Sequence, residues 1–196
     1  AIKSTVTPDI VTRLHEDNNM VVYNPEFLTE QNALEDFVNP PMHVFGGDKT
    51  HCHYLYQFYL DHSRCKDTTT RSYYLTPAEA SFVKYGINSF LASKVLWFNQ
   101  FSDLCEKHNV KYNAVMNSMI TDQRIGNSHI TVPGPDGRKG YGGACFPKDT
   151  NAFSRFAEGD FSLLDLVIKE NNKYRSEYKL DDREKEQNVV YIRNKI

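Results

Sequence analysis

The chain has 196 residues, 40% hydrophobic and 13% aromatic, enough to bury a core in one sizeable domain or two small ones. Its formal net charge of −2 gives no electrostatic reason to expect nucleic acid or an anionic membrane as a partner. No apolar run approaches a bilayer span, no signal peptide is recognisable, and the four cysteines (Cys52, Cys65, Cys105, Cys145) are too few and too irregular for a disulfide framework, so they read as free thiols of a reducing, cytoplasmic compartment.

The chain opens without Met, and Ala1-Ile2-Lys3-Ser4-Thr5-Val6 reads as mid-strand, the middle of something longer. Ile2–Val6 is expected as a strand, and Thr7-Pro8-Asp9 opens a helix to about Glu16, with Pro where its missing N–H costs nothing. Met20–Tyr23 reads as a second strand closed by Asn24-Pro25, Glu30–Phe37 as a short helix, and Met42–Phe45 as a third strand stopped by Gly46-Gly47. Strand–helix–strand order with short links argues for a parallel sheet, whose carboxyl-end loops, at Thr5 and Glu26, would face a ligand crevice.

Residues 50–61 are expected as a helix with Tyr54, Leu55, Phe58 and Tyr59 packing inward. A zinc site of His51, Cys52, His53, His62 and Cys65 is the competing reading, but adjacent ligands do not converge on one tetrahedral ion and the spacing fits no usual finger. No metal is therefore expected. Lys66–Arg71 is polar and reads as a surface loop.

Thr76-Pro77-Ala78-Glu79 is a capping box with Pro at the first helical position. Apolar residues follow at helical spacing (Phe82, Ile87, Phe90, Leu91, Val95, Phe98, Phe101, Leu104, Cys105), so one helix is expected from the box to about His108. Such a length suits a scaffold shared between domains or subunits. Lys84 and Asn88 lie four apart on one face, which by itself is compatible with simple solvent exposure.

Lys111–Met119 reads as a helix, Asp122–Asn127 as a turn and Val132–Lys139 as a loop rich in breakers. Thr150–Phe156 and Ser162–Tyr174 read as helices, and Asp181–Ile196 as a charged helix with a solvated face. Before them stands Gly140-Tyr141-Gly142-Gly143-Ala144-Cys145-Phe146-Pro147-Lys148-Asp149. The glycines let backbone approach a ligand closely, and a thiol, a cation and a carboxylate follow within a few residues. That set offers a nucleophile, a group to favour its thiolate, and a group to move protons. The plain alternative is a turn with one buried cysteine.

Five segments in order carry a resemblance: Lys3-Ser4-Thr5-Val6; Asn24-Pro25-Glu26-Phe27-Leu28-x-Glu30; Lys84-x-x-x-Asn88-x-Phe90-Leu91-Ala92; Asp122-Gln123-Arg124-Ile125-Gly126; and Gly140 through Asp149. Together they resemble the nucleotide-sugar 6-dehydrogenases, the UDP-glucose and GDP-mannose dehydrogenase family. The resemblance implies α/β plus α architecture: residues 1–72 as the second half of an N-terminal Rossmann domain for NAD, and 73–196 as a helical central domain whose long helix forms a homodimer. No G-x-G-x-x-G follows a strand in this chain, and no acidic residue is placed for a ribose. A fragment without these parts is expected to be inactive alone.

The family oxidises a sugar 6-alcohol to a carboxylate in two hydride transfers to NAD, and the resemblance implies a nucleotide sugar, UDP-glucose first and GDP-mannose second, as substrate. By the same resemblance Cys145 is the nucleophile, Lys84 and Asn88 stabilise an oxyanion, and Asp149 manages protons and water. Thr5 and Glu30 are implied at the nicotinamide side, with Ser4, Val6 and Lys148 as further cofactor contacts. Glu26, Phe27, Leu28, Arg124, Gly140, Tyr141 and Gly142 are implied as substrate contacts. Ala144 stands where many members have Ser, and Pro133–Lys139 lengthens the link from Arg124 to Cys145. Two other classes compete: a non-catalytic helical dimerisation module, and a cysteine hydrolase, which needs a histidine near Cys145, the nearest in sequence being His129.

Overall fold

The computed structural model describes residues 1–29, 32–65 and 71–192, and they divide into two compact units, Ala1–Gly86 and Ile87–Ile196. The first unit holds α1 (Pro8–Asp17), α2 (Ala33–Val38), β1 (Met42–Gly46), α3 (Lys49–His62), β2 (Arg71–Leu75) and the start of α4 (Pro77–Lys107). β1 and β2 pair in parallel, from Met42 opposite Arg71 to Gly46 opposite Leu75. Successive β1 side chains point to opposite faces. Val44 joins Val11, Tyr23 and Ala80 on one side, and Phe45 joins Val22 and Cys52 on the other. Helices therefore cover both faces of a small parallel sheet, as the chain order leads one to expect.

The expected strands at 2–6 and 20–23 shrink to single bridges, Ile2 with Tyr23 in parallel and Tyr23 with Gly46 antiparallel. Side chains take the backbone groups that a longer ladder would use. Asn24 Nδ2 donates to the Val44 carbonyl at 2.8 Å, and Ser81 Oγ donates to the Val6 carbonyl at 2.7 Å. β2 was not foreseen; it begins at Arg71, where a loop was expected to end, and residues 66–70 of that loop lie outside the described residues. The expected domain boundary at 72/73 falls inside this strand.

α3 is present, but its phase differs from expectation. Asp48 caps it, accepting from the Thr50 amide, and Cys52, Leu55, Tyr56 and Tyr59 then face the sheet. Tyr54, 75% exposed, and Phe58 share the opposite face. The three adjacent residues of the zinc reading point to separate partners: His51 Nδ1 to the Asn19 carbonyl at 3.2 Å, Cys52 into the core, and His53 onto Tyr74 with ring centroids 4.1 Å apart.

α4 begins with the capping box. The Thr76 amide donates to Glu79 Oε2 at 2.8 Å and the Glu79 amide to Thr76 Oγ1 at 3.3 Å. The helix runs 31 residues, about 46 Å at 1.5 Å per residue. The second unit adds α5 (Tyr112–Met119), α6 (Phe146–Ala157), α7 (Ser162–Arg175) and α8 (Asp182–Glu186). Its core joins Ala92 and Leu96 of α4 to Tyr141, Phe146, Val167 and Tyr174.

Two boundaries differ from the sequence reading. α6 starts at Phe146 rather than Thr150, because Pro147 serves its first turn. Among the described residues, the expected tail helix is only the five residues of α8, and residues 193–196 of that expectation lie outside the described residues. α8 stops where Asn188 turns left-handed (φ 50°) and the Val189 amide closes back on the Glu184 carbonyl at 2.9 Å.

Candidate active site

The loop from Gly140 to Ala144 is shaped by polar side chains of α4 and α7. Asn99 Oδ1 accepts from the Gly140 amide at 3.0 Å. Asn171 clamps Tyr141 from both sides, its Oδ1 accepting from the Tyr141 amide at 2.7 Å and its Nδ2 donating to the Tyr141 carbonyl at 3.0 Å. The Tyr141 ring is buried in the core, and burial pushes its hydroxyl up to about 12. Gly140 has φ 78°, and a Cβ there would lie 2.6 Å from Asn171 Oδ1. A Cβ at Gly142 would lie 2.0 Å from Arg175 Nη2. A side chain at either position would therefore run into Asn171 or Arg175.

The loop delivers Cys145 as the residue capping α6. Cys145 is exposed, whereas Cys52, Cys65 and Cys105 are buried. One turn along, the Asp149 amide donates to the Cys145 carbonyl at 2.9 Å. The Asp149 carboxylate, only 1% exposed, accepts from Asn88 Nδ2 at 2.5 Å. Its other oxygen, Oδ1, has the Lys148 ammonium 3.0 Å away, outside hydrogen-bonding direction. A carboxylate in the first turn is favoured by the helix dipole, and this one is held by an amide and a cation besides. Cys145, Lys148, Asp149 and Asn88 are therefore neighbours in the second unit.

In the first unit, Lys84 Nζ donates to the Glu26 carbonyl at 2.7 Å and stands 5.6 Å from the Phe27 ring centroid. Lys3, which opens the first of the five segments but was given no role there, braces the same turn: its Nζ lies 3.0 Å from Glu26 Oε1 and 3.1 Å from Asn24 Oδ1. Tyr59 OH completes the group, donating to Asn24 Oδ1 at 2.7 Å. Glu26, Phe27 and Leu28 line a small cavity of about 30 Å³ with Lys3, Asp36 and His43, the size of a single water. Ser4 is exposed, and Thr5 and Val6 are half-buried. Glu30, implied on the nicotinamide side, lies outside the described residues.

Arg124 is turned onto its own turn, with Nη2 2.5 Å from Asp122 Oδ2 and its side chain 89% exposed. That turn is anchored by Lys94 Nζ, which donates to the Ile125 carbonyl at 2.9 Å. His129 packs on Phe146 with ring centroids 5.6 Å apart; burial first, then the Lys94 charge, holds its imidazole below the ordinary value. The sequence reading also missed Asn99, Asn171, Arg175 and Glu184. Only Glu184 carried a signal, as the last residue of the capping box begun at Asp181.

The second unit thus carries an exposed thiol at the start of a helix, a buried amide–carboxylate pair and a lysine beside it. Residues 78–173 match the family model described as UDP-glucose/GDP-mannose dehydrogenase family, central domain, and the chain belongs to that family. Among its relatives, the UDP-glucose 6-dehydrogenase of Rickettsia bellii is 34% identical over 182 residues, covering 88% of this chain and 40% of the relative. That of Rhizobium meliloti is 37% identical over 84% of this chain and 38% of its own length. The UDP-glucose dehydrogenase structure from Pyrobaculum islandicum superposes with a TM-score of 0.74 at 32% identity, over 87% of this chain and 40% of that one. The chain thus spans about two fifths of the relatives it matches.

Proposed function

We propose that this chain is part of a UDP-glucose 6-dehydrogenase that converts UDP-glucose to UDP-glucuronate. The observation carrying this reading is Cys145, the exposed thiol at the start of α6, with the Asn88–Asp149 pair one turn on. The names and identities of the relatives support UDP-glucose as the sugar nucleotide. NAD, when bound, accepts the hydride in each oxidation.

The chemistry explains why these residues are needed. Oxidation of the 6-alcohol gives an aldehyde, and a bare aldehyde carbon cannot yield an acid by losing hydride. Cys145 Sγ adds to that carbon, forming a C–S bond and placing negative charge on oxygen. Lys84, an ammonium with three donors, and Asn88, an amide with a second N–H beyond the one given to Asp149, stabilise that charge. The second oxidation leaves a thioester on Cys145. Water then attacks the acyl carbon, Asp149 takes the proton, and the carboxylate leaves as the thiol is restored. Glu26, Phe27 and Leu28, with Gly140, Tyr141, Gly142 and Arg124, are the proposed substrate contacts.

Ser4, which is exposed, and Thr5, which is half-buried, are proposed cofactor contacts, as are Val6, Glu30 and Lys148. No G-x-G-x-x-G lies in this chain, so no pyrophosphate contact is assigned to its residues. Residues 1–72 are accordingly read as the second half of a Rossmann domain and 73–196 as the central domain. Phe90, Trp97 and Leu104 repeat every seven residues on the exposed face of α4, a heptad seam for a second copy.

The test is NADH production from UDP-glucose by the complete protein and by Cys145→Ser. The variant should lose on the order of 10³-fold or more in turnover, the scale of removing a nucleophile. Equal rates would sink the assignment.

A further inference from the structure

One group of charges is absorbed by none of these roles. Arg175, at the end of α7, is 1% exposed, and Glu184 of α8 is 0% exposed. Glu184 Oε1 accepts from Arg175 Nη2 at 2.6 Å, from Tyr191 OH at 2.8 Å and from the Gly143 amide at 3.3 Å. Its Oε2 accepts from the Asp181 amide at 2.9 Å and has Arg138 Nη1 at 3.7 Å. Arg175 Nη1 donates to Asp136 Oδ2 at 2.7 Å. Three separate stretches meet at this pair: the Pro133–Lys139 loop, the glycine loop and the tail.

Burying two opposite charges rarely adds stability over apolar packing of the same volume. What such a pair adds is a fixed geometry, because each bond it makes holds a partner in place; among the described residues, Nη1 and Nη2 of Arg175 are both bonded, and its Nε is not. Here the acceptor reaches the backbone two residues before Cys145, and Arg175 fills the space beside Gly142. Burial opposes ionisation of Glu184, but the Asp181 amide, the Tyr191 hydroxyl and the Arg175 guanidinium outweigh it and keep the carboxyl below its ordinary range.

We propose that Arg175 and Glu184 are positioning residues that lock the glycine loop so that Cys145 is presented at the first turn of α6. The inference rests on reading Cys145 as the nucleophile, but its test needs no dehydrogenase activity. With the other three cysteines buried, iodoacetamide reports on Cys145 in the native 196-residue chain. Two variants are compared with the parent. Glu184→Gln keeps the shape and one acceptor oxygen, and Arg175→Met with Glu184→Leu removes both charges without leaving either unpaired. The double variant should alkylate at least about threefold more slowly, since the loop no longer presents the sulfur at the helix end. Amide exchange over 140–146 should rise about tenfold while that of α4 stays put. Glu184→Gln should fall between the double variant and the parent, and it carries the test if the double variant does not fold. Parent-like alkylation and exchange would overturn the proposal. So would exchange that rises uniformly over the second unit, because that is what a merely structural pair predicts.

Discussion

Asn88 is where the stability of the fold and the proposed chemistry meet in one side chain. It sits on α4, and its amide donates to a carboxylate that burial leaves little else to bond. Replacing Asn88 with Ala should cost about 1–3 kcal/mol of stability, the penalty of an under-satisfied buried acceptor, visible as a lower melting temperature of the chain. In the complete enzyme the same change should slow turnover by about 10²–10³, the effect of losing an oxyanion donor, while Asn88→Asp should not restore it. At this scale the sequence was informative where motifs concentrate chemistry. Cys145, Lys84, Asn88 and Asp149 were all legible as residues of interest. Lys3 was given no role, and Asn171 and Arg175 were not singled out, because a polar side chain in a polar stretch looks solvated until the fold encloses it. Their partners are distant in sequence: Asp136 lies 39 positions from Arg175, and Tyr59 lies 56 from Lys3.

Helices were read well because their ends carry local signals. The Thr76–Glu79 box and Pro77 mark the start of α4, and Thr76→Ala should cost about 1 kcal/mol, measured by denaturant unfolding of the chain. Strands were read poorly. β2 depends on pairing with β1, and its five residues, Arg71–Leu75, have no clean alternation to announce them. Residues 2–6 and 20–23 do alternate or run apolar, yet Asn24 and Ser81 intercept their backbone carbonyl partners. α4 also presents outward large side chains that a lone helix has no reason to expose: Phe90 is 68% and Trp97 50% exposed. If this seam joins two copies, Trp97→Glu should convert a dimer to a monomer in sedimentation at micromolar concentration. A monomeric parent chain would refute the seam.

Over the whole molecule, acid should act through carboxylates that the fold holds low, and in the second unit these are Glu184 and Asp181. Glu184 has its carboxyl held below the ordinary 4.5, so its contribution is complete above about that pH and is lost as pH falls through the lower folded value. Asp181 beside it is likewise held low: burial opposes, but Arg183 and the Glu184 amide prevail. Unfolding of the second unit should therefore be nearly pH-independent from 7 down to about 5 and weaken steeply below about 4.5. Glu184→Gln should flatten that acid limb; an unchanged limb would place the sensitivity elsewhere. The glycine loop belongs to this same unit, and its glycines have a consequence for lineages rather than for single molecules. Gly140 and Gly142 are required by Asn171 and Arg175, neighbours that have no part in hydride transfer. A descendant that lost Cys145, and its activity with it, would still be confined to glycine at both positions. Such a pseudoenzyme would wear the glycine signature of its ancestors intact, and only the residue at 145 would betray it.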